Sequence, residues 1–97
     1  MSASRHWNGS VECTPEALDK FMRALKSELD KEAQAAGGQV KKSSDHVKEG
    51  RLEGFAFDYT TTAKIRGQVK ATTERTAGAG GEKGRYKFDV SIDEKFP

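Results

Sequence analysis

The sequence predicts an α+β domain in which one long N-terminal helix packs on a curled antiparallel sheet of about four to five strands. Apolar residues recur at helical spacing between residues 15 and 36, whereas they alternate with polar residues in three segments of the second half. The glycine pair Gly37 and Gly38 separates the two patterns. A helix with one apolar stripe must bury that stripe, and the inward face of the sheet is the apolar surface available to it.

The first strand is predicted over residues 6–13. Trp7, Gly9, Val11 and Cys13 alternate with polar residues, which is the period of a half-buried strand with its apolar set facing inward.

The helix is predicted over residues 15–36. The Thr14 hydroxyl can accept a hydrogen bond from a free backbone N–H, and Pro15 lacks the donor that a first turn leaves unpaired. The apolar stripe has helical spacing and consists of Leu18, Phe21, Met22, Leu25 and Leu29. Glycine adopts the left-handed conformation that ends a helix, so we expect the helix to stop before Gly37.

Four further strands are expected. A weakly buried strand is predicted over 39–43, and the polar segment 41–50 is either a loop or a poorly buried edge strand ending in a Glu49-Gly50 turn. Clear alternation predicts strands over 51–60, 64–75 and 84–93, which form an antiparallel sheet with one face in water. The glycine-rich segment 76–84 is predicted to be a flexible loop.

The resulting order, β-α-β-β-β-β, resembles the cystatin or monellin arrangement in topology only. The motifs of cystatin inhibitors are a glycine near the N-terminus, a central Gln-x-Val-x-Gly loop and a Pro-Trp loop, and they are not recognisable as a set. Gln39, Val40 and Lys41 lack the spacing of the central loop. The resemblance therefore implies a fold and no protease inhibition.

Length and composition favour a single domain, 1–97. Ninety-seven residues bury one core and lack the material for two. Cys13 is the only cysteine, which excludes an internal disulfide and the small secreted domains that disulfides hold together. No segment approaches the roughly 20 apolar residues of a bilayer span. The N-terminus has no apolar run typical of a signal peptide. We expect a soluble chain that contacts no membrane, and its compartment stays open between the cytoplasm and export with a removed signal.

Groups that could carry catalysis or bind a metal are few. His6, Cys13 and His46 are the only imidazole and thiol groups, and their spacing matches no ligand pattern. We predict two surface histidines and a small buried cysteine. The glycine run is not followed by a helix, as a phosphate-binding loop would be.

The carboxylates Glu49, Glu53 and Asp58 cluster in the sequence. Asp58 lies between two aromatic residues of an alternating strand, so we predict a solvated charge on the wet face of the sheet. We therefore predict no enzyme, no cofactor and no metal site.

The basic residues are concentrated in one segment. The net charge of +2 is too balanced to imply a polyanion partner, but residues 59–88 contain seven basic and two acidic side chains. Candidate polyanion contacts are Lys64, Arg66, Lys70, Arg85 and Lys87. Lysines on an exposed strand also discourage edge pairing, which is the plainer interpretation.

Three functional hypotheses follow. The first is a non-enzymatic binding or accessory module that contacts a protein or ligand through its exposed sheet face or its glycine-rich loop. The second is nucleic-acid or polyanion binding through the basic strand 64–70. The third is a small enzyme with a pocket between helix and sheet.

Overall fold

A computed structural model describes residues 1–78 and 81–97. In these residues the chain forms one helix and five strands: β1 (Ser2–Cys13), α1 (Pro15–Ala35), β2 (Gln39–Lys48), β3 (Arg51–Thr60), β4 (Arg66–Ala77) and β5 (Gly84–Lys95). The strands form one antiparallel sheet in the order β1-β5-β4-β3-β2. The predicted α+β class and element order are confirmed. No helix among the described residues combines the length and apolar character that a bilayer span requires.

Local chemistry sets both ends of α1. Thr14 is extended, and its hydroxyl accepts a hydrogen bond from the Ala17 N–H at 3.2 Å. At the other end Gly37 has a φ of +77°, and the Gly38 N–H donates to the Ala33 carbonyl at 2.9 Å. The helix ends one residue before the predicted position, because the turn through Ala36 closes onto Glu32 and Ala33.

The core lies between α1 and the inner face of the sheet. Its helical side consists of Leu18, Met22, Leu29 and Ala33. Its sheet side consists of Leu52, Phe55, Phe57, Tyr59, Val69, Ala71, Tyr86, Val90 and Ile92. The predicted stripe is confirmed with one exception: Phe21 is 43% exposed, and its ring packs beside Phe88 with centroids 5.8 Å apart. Phe21 lies at the margin because the backbone of α1 packs mainly over β3 and β2.

Strand pairing extends several elements beyond their predicted ends. β1 begins at Ser2 instead of residue 6, because all twelve of its residues pair with β5. β2 continues to Lys48, so the polar segment after residue 43 is an edge strand. The Glu49-Gly50 turn follows, with φ values of +53° and +76°.

The start of β4 corrects the predicted strand 64–75. Lys64 has a φ of +64° and lies in a turn that the Thr61 backbone N–H closes by donating to the Ile65 carbonyl at 2.9 Å. β4 therefore begins at Arg66 and continues to Ala77. The predicted loop 76–84 includes residues 79 and 80, which lie outside the described part of the chain, while its first two residues belong to β4 and Gly84 belongs to β5.

One aromatic ring fixes the spacing of the central strands. Tyr59 on β3 pairs with Gly67 on β4, and its ring occupies the space that a side chain at position 67 would fill. The phenol donates a hydrogen bond to Glu94 at 2.8 Å. Burial and this carboxylate raise the pKa of Tyr59 well above its usual value.

Candidate binding surface

The face of the sheet opposite α1, which we call the outer face, is open to solvent and crosses all five strands. Strand register places one row of neighbours across it: His6, Ser91, Lys70, Ala56 and Ser44. The adjacent row contains Asn8, Asp89 and Thr72, and it ends at Gly54 and His46. Most of these side chains are short, so the middle of the face is lower than its charged surroundings.

Three depressions lie on the outer face. One of about 500 Å³ lies around Asn8, Thr72 and Asp89. A second of about 340 Å³ shares Thr72 with the first and reaches Ser44 and Ala56. A third of about 390 Å³ lies at the other end of the face. The first two meet at Thr72 and together form a shallow recess across the five strands, which we call the trough.

Charges of both signs alternate around the trough. Lys87 lies opposite Glu74 in the register of β4 and β5. Gln68 lies between two carboxylates, those of Asp58 and Asp93. The Ser4 hydroxyl donates to Asp93 at 2.7 Å. The face therefore presents a mixed pattern of charge rather than one sign.

The five predicted polyanion contacts do not form one basic surface, because some lie in a turn or beside a carboxylate. Arg66 and Lys70 share the outer face, as expected. Lys64 lies in the turn before β4, and Arg85 pairs with Glu12 at 3.8 Å. Lys87 faces an acidic neighbour, as described above. Glu12 lies on a strand distant in sequence from Arg85, so the run of basic residues alone could not reveal that pair.

A cluster of cations nevertheless surrounds the third depression. It consists of Lys41, Lys42, Arg66 and Lys95, with Asp58 and Asp93 between them. Arg66 and Lys95 are direct cross-strand neighbours. Within the described ranges none of the four cations forms an ion pair. We call this group the cationic corner.

A cavity of about 500 Å³ lies on the helix side of the sheet, at the N-terminal end of α1. Several of the polar side chains that line it contact other residues of the chain. Arg51 donates to Glu16 at 2.7 Å, and the guanidinium of Arg75 lies 5.5 Å from the centre of the Tyr86 ring. The Thr73 hydroxyl donates to the Glu53 carbonyl at 2.6 Å. These contacts hold the elements around the cavity together, and none of them activates a nucleophile.

The other candidate groups are dispersed. His6 contacts the Asp89 carboxylate, and His46 lies 3.8 Å from Glu53. Both imidazoles are exposed, as predicted. Cys13 is half-buried, and burial raises the pKa of its thiol. In residues 1–78 and 81–97 no three His, Cys, Asp or Glu side chains come close enough together to hold a metal ion.

Comparison with family models, with curated proteins and with solved structures gives no match.

Proposed function

We propose that this chain is a non-enzymatic binding module whose outer face binds a protein partner with a polar surface of mixed charge. The trough carries this proposal, because it gives a partner a continuous recess across five hydrogen-bonded strands. A rigid sheet holds such a recess in shape at little entropic cost to binding.

The charge pattern favours a protein over a uniform polyanion. A phosphate backbone would meet the carboxylates of Asp58, Asp89 and Asp93 on the same face as the lysines. A folded partner can instead place an opposite charge against each one, which gives specificity. The molecule measures 46 Å by 23 Å along its two longer axes. The face therefore has room for the roughly 800 Å² that each partner buries in a standard interface.

A matched pair of variants tests the proposal. Thr72→Arg fills the middle of the trough, whereas Ser27→Arg makes the same kind of change on the exposed side of α1. The immobilised chain would capture partners from extracts of its source cells, and each captured protein would be purified and titrated calorimetrically. We expect Thr72→Arg to weaken binding at least about tenfold, or about 1.4 kcal/mol, and Ser27→Arg to leave it unchanged. Equal binding by both variants would refute the assignment of the trough.

The cationic corner supports a second candidate, binding of a nucleic acid or another polyanion. Four cations that form no ion pair with any described residue line one depression there. Titration with a single-stranded oligonucleotide at several salt concentrations should show affinity falling as ionic strength rises. Arg66→Gln should reduce both the affinity and the salt dependence, whereas Lys87→Gln, beside Glu74, should change neither. Absence of binding at low salt would eliminate this candidate.

A further inference from the structure

We infer that β1 is a docking edge for a second copy of this chain, so that two sheets join into one continuous sheet about a two-fold axis. This interaction uses the edge of the sheet and is separate from the outer face.

The β2 edge carries the features that prevent sheets from joining. Its pairing with β3 is interrupted by two register shifts, and Lys42 has a φ of +51°. Lysines stand at positions 41, 42 and 48. Bulges and lysines on an edge strand block the approach of another strand, because they distort the row of backbone groups and place charge beside it.

The β1 edge carries none of these features. Its twelve residues pair with β5 without a register shift, and Ser2–Cys13 contains neither lysine nor proline. The outer side of such a strand presents a regular row of backbone N–H and C=O groups, which is a template for another strand. The two edges of the sheet therefore differ in regularity, and the one cation of β1 that lies on its helix side, Arg5, is bound to Glu32 of α1.

An apolar patch lies directly beside the β1 edge, on the helix side of the sheet. Trp7 is 38% exposed and Phe21 is 43% exposed. Val11 and Phe88 are only partly buried and connect the patch to the core. Phe21 projects from α1 and packs beside Phe88, but Phe21 and Trp7 each keep more than a third of their surface exposed, because α1 packs mainly over β3 and β2. A second sheet joined at β1 would bring its own patch to the same side.

The β1 sequence is complementary to itself when two copies pair antiparallel about Gly9. Trp7 then lies opposite Val11 of the second copy, on the helix side. His6 lies opposite Glu12 of the second copy, on the outer face. A two-fold axis makes each of these contacts twice. Centring the axis on Trp7 or Asn8 instead would place His6 opposite Asn8 or Ser10 and lose its approach to the Glu12 carboxylate.

Sedimentation velocity of the full chain tests the inference, at concentrations from about 1 μM to about 1 mM, the range of moderate and weak dissociation constants. We expect a monomer–dimer equilibrium. Trp7→Lys places a charge at the dimer seam and should raise the dissociation constant at least about tenfold. The matched control is Val47→Lys, which changes a 52% exposed apolar residue on the β2 edge and should leave the equilibrium unchanged. Circular dichroism would confirm that both variants are folded. A wild-type chain that stays monomeric throughout, or equal dissociation by both variants, would overturn the inference.

Disulfide trapping tests the pairing about Gly9. In a Cys13→Ser background, chains carrying Asn8→Cys would be mixed with chains carrying Ser10→Cys. Opposed residues of an antiparallel pair lie within the Cα separation that a disulfide spans. We expect linked dimers from the mixture and none from Asn8→Cys alone. Linkage of Asn8→Cys to itself, without linkage in the mixture, would overturn the Gly9-centred register.

Discussion

The substitution Gly67→Ala should be among the most destabilising single changes in this chain, although it adds one methyl group. An ideal Cβ at position 67 would lie within 2.5 Å of three atoms of the Tyr59 ring. The Tyr59 side chain is buried, and the hydrogen bond from its phenol to Glu94 holds the ring in place. Either the ring or the β4 backbone has to shift.

The size of the effect follows from these contacts. Inserting a methyl group into a packed core costs about 1–3 kcal/mol. A displaced ring also lengthens the hydrogen bond from the phenol to Glu94, now 2.8 Å, which adds about 1 kcal/mol. We expect a loss of about 2–4 kcal/mol, which for a domain of this size lowers the melting temperature by about 10–20 °C.

Urea denaturation of four variants measures this loss and its cause. Gly81→Ala is the control, since no atom of the described residues beyond its chain neighbours lies within 4 Å of a Cβ there, and its effect should be within about 0.5 kcal/mol of zero. In a Tyr59→Ala background the cost of Gly67→Ala should disappear, because the obstructing ring is gone. If Gly67→Ala were neutral, or equally costly with and without the ring, the packing argument would be wrong.

Two further predictions concern the start of α1. The hydrogen bond from the Leu52 backbone N–H and the neighbouring Arg23 guanidinium lower the pKa of Asp19. Its contribution to stability should be complete above the unfolded value of about 4 and should be lost as pH falls through the lower folded value. Asp19→Asn should therefore destabilise at neutral pH and flatten the acid limb of a plot of urea midpoint against pH. Thr14→Ala should cost about 1 kcal/mol in thermal unfolding by removing the cap on Ala17, whereas Ser27→Ala should not.

The elements that the sequence predicts best are those whose signals are local. Thr14, Pro15 and Gly37 act on backbone groups within a few residues, and they place α1 to within one residue. The alternation of aromatic residues likewise places β3 at its observed bounds. Residue propensity and hydrophobic periodicity suffice to predict an element whose bounds do not depend on which strand or helix it packs against.

Strand neighbours could not be predicted in the same way. Pairing of β1 with β5 joins residues from opposite ends of the chain, and this pairing extends β1 to Ser2. The same register places Glu74 opposite Lys87 and brings Glu12 to Arg85. Arg85 and Lys87 therefore have acidic neighbours that the sequence pattern did not predict. The trough and the cationic corner likewise depend on which strands are neighbours in the sheet.

The placement of the two chain ends has a mechanical consequence. Ser2 pairs with Lys95, and the Phe96 N–H donates to the Met1 carbonyl at 2.9 Å, so both ends leave the sheet from the same corner. Tension applied between these ends would load the first pair alone and then each following pair in turn. At each moment only a few hydrogen bonds would resist the applied force. Stretching would therefore separate β1 from β5 before the part of the sheet covered by α1 carried any load.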